Sequence, residues 1–151
     1  ELKLNSQEWR KLSENSLAYR GNIKPIVPGP CSGEVVLVDG YISFFGEVDP
    51  ERGCLIDLEN VCFRDKILVF KGTRGSTIAP YVIYALRKNN VAPRCILVAD
   101  VEPMLIAGCV LAEIPLFTVE RYEEFVELVK STHSNVYLEV CGGALLLYKR
   151  E

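Results

Sequence analysis

Arg74, Gly75, Ser76 and Thr77 close the segment Lys71-Gly72-Thr73-Arg74-Gly75-Ser76-Thr77, and their types suit an anion site with a hydroxyl inside it. Arginine brings a fixed positive charge and a planar fork matched to carboxylate or phosphate. Two glycines let the backbone turn tightly and approach a ligand. The β-type run Ile67-Leu68-Val69-Phe70 precedes the segment, and an apolar helical run follows from Ile78. Backbone N–H groups at such a helix start favour negative charge, and Ser76 or Thr77 can cap the helix. The same residues also make an ordinary turn and cap. The spacing does not match the nucleotide-binding P-loop, which needs Gly, four residues, then Gly-Lys-Ser/Thr. Ser32 and Ser43 are further candidates for lining a cleft, although each also sits where a turn or strand end needs a hydroxyl. Glu102, before Pro103, reads as a helix cap with a possible supporting role at a strand end.

The elements that must position these residues alternate. Gly33 to Val38 reads as a strand, and Tyr41 to Pro50 as a compact aromatic loop or short strand ended by an Asp-Pro turn. Cys54 to Asp57 can form another short strand. Lys66 to Phe70 leads through the glycine loop to a helix from about Ile78 to Asn89, with Pro80 tolerated in its first turn. Ile78, Val82, Ala85 and Leu86 form one apolar face there, which Tyr81, Ile83 and Tyr84 extend most of the way round, so burial of the whole helix is expected. Arg94 to Ala99 reads as an inner parallel strand, Glu102 to about Glu113 as a helix, and Pro115 to Thr118 as a third strand. An amphipathic helix from Arg121 to about Ser131 follows, then a hairpin of Val136 to Val140 and Ala144 to Tyr148 around Gly142-Gly143. This is an α/β pattern with a mixed sheet, partly curled, and flanking helices. Residues 1–20 read as a polar arm and 21–151 as the domain.

A chain of 151 residues is one ordinary domain and can bury a core without metal. Its net charge of −3, with no basic stripe, argues against nucleic acid. A hydrophobic fraction of 49% leaves apolar surface for a protein partner or a well-buried α/β core. The six cysteines contain no Cys-x-x-Cys pair, which argues against a metal site held wholly by this chain. Their apolar neighbours suit reduced, buried thiols and a cytoplasmic location. No stretch reaches the length of a membrane span, and no signal peptide is visible, although the sequence starts at Glu1 without Met.

Four ordered blocks carry a resemblance: Ser32-Gly33-Glu34-Val35-Val36; Ile42-Ser43-Phe44-Phe45-Gly46-Glu47-Val48-Asp49-Pro50; Gly72 to Thr77 with Tyr81-Val82-Ile83-Tyr84; and Ala92-Pro93 through Glu102-Pro103 to Ala112. They span roughly residues 30 to 118, and over this stretch the chain resembles the small swivelling domain of the aconitase family, in the branch called aconitase X. The resemblance implies a swivelling β/β/α domain that works beside a large catalytic subunit carrying a 4Fe-4S cluster. It implies a hydro-lyase that removes water from a 3-hydroxy acid, mevalonate 5-phosphate in the archaeal branch and a hydroxyproline in bacterial relatives. The family's proton-accepting serine falls on Ser76, and Arg74, Gly75, Thr77, Ser43 and Ser32 become candidates for binding the substrate. This sequence departs from the family where Thr77-Ile78-Ala79-Pro80 replaces a commoner glycine-serine, and where Glu47 stands in place of a second glycine.

The residues allow two other readings. One is a noncatalytic interaction or regulatory module. The other is a phosphohistidine carrier, for which His133 is the one available histidine; it lies at a helix end outside any glycine-rich loop, where a cationic cap is the simpler role.

Overall fold

The structure is a computed structural model that describes residues 17–58, 61–132 and 136–149. The helix start read at Asn5 and Glu8, most of the arm assigned to residues 1–20, and His133 lie outside the described residues. Residues 17–20 open the first strand.

Eleven strands and four helices follow one another among the described residues. They are β1 (Leu17–Val27), β2 (Ser32–Leu37), β3 (Tyr41–Ile42), α1 (Phe44–Glu47), β4 (Val48–Asp49), β5 (Cys54–Leu55), β6 (Ile67–Phe70) and β7 (Gly72–Thr73). Then come α2 (Ala79–Lys88), β8 (Cys95–Val98), α3 (Pro103–Ala112), β9 (Leu116–Val119), α4 (Tyr122–Ser131), β10 (Val136–Cys141) and β11 (Ala144–Lys149). The sheet is mixed and helices flank it, as the alternation predicts, but it does not stop at partial curling. Seven strands close a barrel in the order β1-β11-β10-β2-β6-β8-β9. The strand responsible is β1, which the sequence did not announce: Leu17 to Asn22 pair with β11 and Ile23 to Val27 with β9, so one long strand bridges both edges. Gly21, Pro25 and its mostly exposed side chains hide it from a reading based on apolar alternation.

β2, β6, β8 and β9 run parallel. Successive side chains of a strand point to opposite faces, and β6 and β8 divide theirs between two cores. Leu68, Phe70, Ile96 and Val98 pack with Ile83 and Leu86 of α2 and Leu105 and Cys109 of α3. Ile67, Val69, Cys95 and Leu97 pack with Phe125, Val126 and Val129 of α4 and with Leu138, Leu145 and Leu147 of the terminal hairpin. Burial on both faces explains why these strands read as unbroken apolar runs.

Two expectations are corrected. Whole-helix burial of α2 fails: Ala79, Pro80, Ile83 and Leu86 are buried and Val82 packs against them half-buried, while Ile78, Tyr81 and Tyr84 are 42%, 73% and 47% exposed. α2 packs with one side against α3, at Gly108, and its other side is exposed among the described residues. The reading of reduced thiols also fails for four cysteines, because disulfides join Cys31 to Cys95 and Cys54 to Cys62. β2 and β8 are separated in the barrel by β6 alone, and Cys31, just ahead of β2, and Cys95, at the start of β8, are buried in the same core, so burial brings the first pair together rather than isolating each thiol. Cys109 remains a free, buried thiol, pushed up to about 12 by burial, and Cys141 is free and exposed.

Candidate functional site

The parallel strands end together, and the loops leaving β2 and β6 lie side by side there. Lys71 N–H donates to Gly40 at 2.8 Å, β7 runs parallel to β3, and Arg74 N–H donates to the Ile42 carbonyl at 3.0 Å. A third loop joins them: Lys71 O accepts from Ala99 and Asp100 N–H, each at 3.0 Å. Strand C-terminal ends are where open parallel sheets place ligand sites, and these loops lie at the corresponding end of the closed sheet here.

Ser76 sits between this edge and α2. Its Oγ accepts the Ile78 N–H at 3.1 Å. The expected side-chain cap is replaced by a turn: Ile78 is the N-cap residue and makes no side-chain cap bond, so Ser76 acts two residues upstream of the helix. The hydroxyl oxygen therefore already receives an N–H at the positive end of α2, an arrangement that stabilises negative charge on oxygen. Gly75 has no left-handed backbone, and a Cβ added there would meet nothing within 4 Å. Its lack of a side chain leaves open space beside Ser76. Thr77 is exposed next to it.

Arg74 is not free in this arrangement. Its Nη2 donates to Glu47 Oε1 at 3.0 Å and Oε2 at 3.1 Å. Glu47 Oε1 also accepts the Ser43 N–H. That backbone hydrogen bond, opposed by burial and assisted by Arg74, holds the Glu47 carboxyl below its ordinary range. The short α1 bends at Phe45 and at Gly46, whose φ of 128° is costly for other residues, and so carries Glu47 back over its own N-terminus. Ser43, Arg74, Gly75, Ser76 and Thr77 are thus brought into one neighbourhood.

Ser32 is not. It begins β2, whose far end, Leu37, is level with Val69, so Ser32 lies roughly 16 Å along the strand from the Ser76 edge. It lines a different cleft of about 400 Å³ with Asp65, Arg87, Arg94 and Glu113 at the opposite end of the barrel. Glu102 proves to be a cap and more. Its carboxylate accepts Met104 N–H at 3.0 Å and Leu105 N–H at 2.7 Å, and Oε1 also accepts the Thr73 hydroxyl at 2.9 Å, tying α3 to the serine loop. Thr73 and the Glu47–Arg74 pair escaped the sequence reading, since nothing local links residues 29 and 27 positions apart.

The fold is thus a closed α/β barrel with a serine loop on its strand ends. A sequence profile of the aconitase X swivel domain matches residues 20–143. Phosphomevalonate dehydratase small subunits resemble the chain closely: that of Aeropyrum pernix is 44% identical over 83% of this chain and 95% of its own length. That of Methanococcoides burtonii is 43% identical over 84% and 94%. The crystal structure of Thermococcus kodakaraensis aconitase X in its holo-form superposes with a TM-score of 0.74 at 32% identity, covering 87% of this chain and all of that one (100%). A UPF0107 protein solved by NMR gives 0.71 at 34% identity, covering 84% of this chain and 97% of that one. The chain belongs to the aconitase X swivel domain family.

Proposed function

We propose that this chain is the small subunit of a two-chain hydro-lyase that dehydrates mevalonate 5-phosphate to trans-anhydromevalonate 5-phosphate in a mevalonate pathway, with Ser76 as proton acceptor. The reading is carried by the likeness to small subunits of that name, which extends over 95% of the Aeropyrum pernix protein.

Removing water across a carbon–carbon bond needs a base for the proton next to the carboxylate and a Lewis acid for the departing hydroxyl. A free serine is a poor base. Ser76 gains from the Ile78 N–H and the start of α2, which favour the alkoxide, and from the space at Gly75, which admits substrate to its oxygen. Arg74 would bind the substrate carboxylate or phosphate, with Thr77 and Ser43 beside it; Ser32, at the other end of the barrel, has no place in this site.

The donor set here does not fit an iron–sulfur cluster. Four cysteines are paired, Cys109 is in the core, and among the described residues no group of three ligating side chains converges. We assign the 4Fe-4S cluster to the partner large subunit, and the Lewis-acid part of the reaction with it. The exposed Ile78 and Tyr81 beside the loop give that partner an apolar surface to cover. No helix among the described residues is long and apolar enough to cross a membrane. We place the enzyme in the cytoplasm. Two disulfides fit that location in hosts whose intracellular proteins carry them, hyperthermophilic archaea among them.

The test is reconstitution with an aconitase X large subunit. Turnover of mevalonate 5-phosphate is expected, and turnover of a hydroxyproline instead would move the chain to a different hydroxy acid.

A further inference from the structure

Glu47 and Arg74 form an exposed ion pair, and pairs of this kind are individually weak. The two partners are unequally held. Glu47 is fixed by its own loop through the Ser43 N–H, and its own N–H in turn donates to the Ser43 carbonyl at 3.0 Å. Arg74 is fixed at its backbone by Ile42, while its long side chain is 64% exposed and meets Glu47 through Nη2 alone. Among the described residues its Nε–H and Nη1–H groups donate to nothing, so three of the five donors of a guanidinium remain for another anion.

We infer that Glu47 is a positioning residue: anchored by Ser43, it holds the Arg74 guanidinium at one nitrogen and presents the remaining donors to an anionic group of the substrate beside Ser76. This deepens the dehydratase reading and rests on it. Holding a flexible arginine before the ligand arrives removes ordering entropy from the binding step. The weakness of the pair sets its scale. Loss of an exposed ion pair changes an equilibrium by about 5-fold or less, so the effect belongs in KM rather than in the chemical step.

The variant of choice is Glu47→Gln in the reconstituted two-chain enzyme, because the amide oxygen still accepts the Ser43 N–H while the charge on Arg74 is lost. KM for mevalonate 5-phosphate should rise about 3- to 5-fold with kcat nearly unchanged, and the effect should vanish in an Arg74→Ala background. An unchanged KM, a lower KM, or the same increase without Arg74 would overturn the inference; a lower KM would mean that Glu47 competes with substrate. If the wild-type pair does not act on mevalonate 5-phosphate, the functional reading fails, and the positioning role is then judged by phenylglyoxal modification of Arg74 in the complex, mapped by mass spectrometry. Faster modification in Glu47→Gln, about 3-fold, would keep Glu47 as the group that holds Arg74, as expected for a weak exposed pair. Equal rates would reject it.

Discussion

Ser76 Oγ accepts one backbone N–H at the head of α2, and Arg74 reaches the same neighbourhood from the preceding residues with Glu47 across from it. The Ser76–Ile78 and Glu47–Ser43 bonds each lie within one segment, and the Arg74–Glu47 contact joins the two segments. The Glu47 carboxyl reports both kinds of bond. The Ser43 N–H and then Arg74 lower its pKa in the folded chain, so its contribution to stability is complete above the unfolded value and is lost as pH falls through the folded value. Carboxyl-carbon NMR should therefore show Glu47 titrating below an ordinary glutamate, and Arg74→Ala should move it upward only in part, because the leading cause is Ser43. A Glu47 titration at or above the ordinary value would contradict the contact. Serine and arginine in this motif were legible in the sequence because their chemistry is local. The engagement of Arg74 was not, since the glutamate that holds it lies on the other side of β6.

At the scale of elements, two glycines separate packing from function. Gly108 lies where α3 crosses α2, and a Cβ there would come within 2.6 Å of Ile83 Cδ1 and 3.2 Å of the Pro80 backbone. Gly108→Ala should destabilise the fold by about 1–3 kcal/mol, read from denaturant unfolding, because overpacking against a backbone has little room to relax. Gly75→Ala meets no neighbour and should change stability by no more than about 0.5 kcal/mol while reducing turnover of the reconstituted enzyme. Equal stability losses at the two positions would refute this division. The inner strands were readable because burial on both faces leaves an apolar run with no polar interruption. The outer face of α2 misled for a related reason: Tyr81 and Tyr84 are apolar enough to read as core, yet both are exposed among the described residues.

For the whole molecule, closure by β1 and the two disulfides are the features that periodicity could not supply. β1 mixes apolar and polar residues without a regular alternation and carries Gly21 and Pro25, and its two partners, β11 and β9, make it a strand. The Cys31–Cys95 bond spans 64 residues and the Cys54–Cys62 bond spans 8. In the chain-entropy account these contribute about 4 and about 2.5 kcal/mol, so reduction should lower the unfolding midpoint, chiefly through the first. Without reductant, a thiol alkylating agent should modify the native chain rapidly at Cys141 only, because Cys109 is buried with its thiol pushed up to about 12. Rapid modification of Cys54 or Cys62 under those conditions would show that pair to be reduced.

The central claim is that the open strand ends carry one half of a dehydratase site and that Ser76 is its base. The most direct measurement is turnover of mevalonate 5-phosphate by the pair reconstituted with Ser76→Ala, alongside the size of the complex in solution. The account predicts an intact complex and a loss of kcat of about 10²-fold to 10⁴-fold, the scale of removing a positioned base. An intact complex that turns over at the wild-type rate would contradict it.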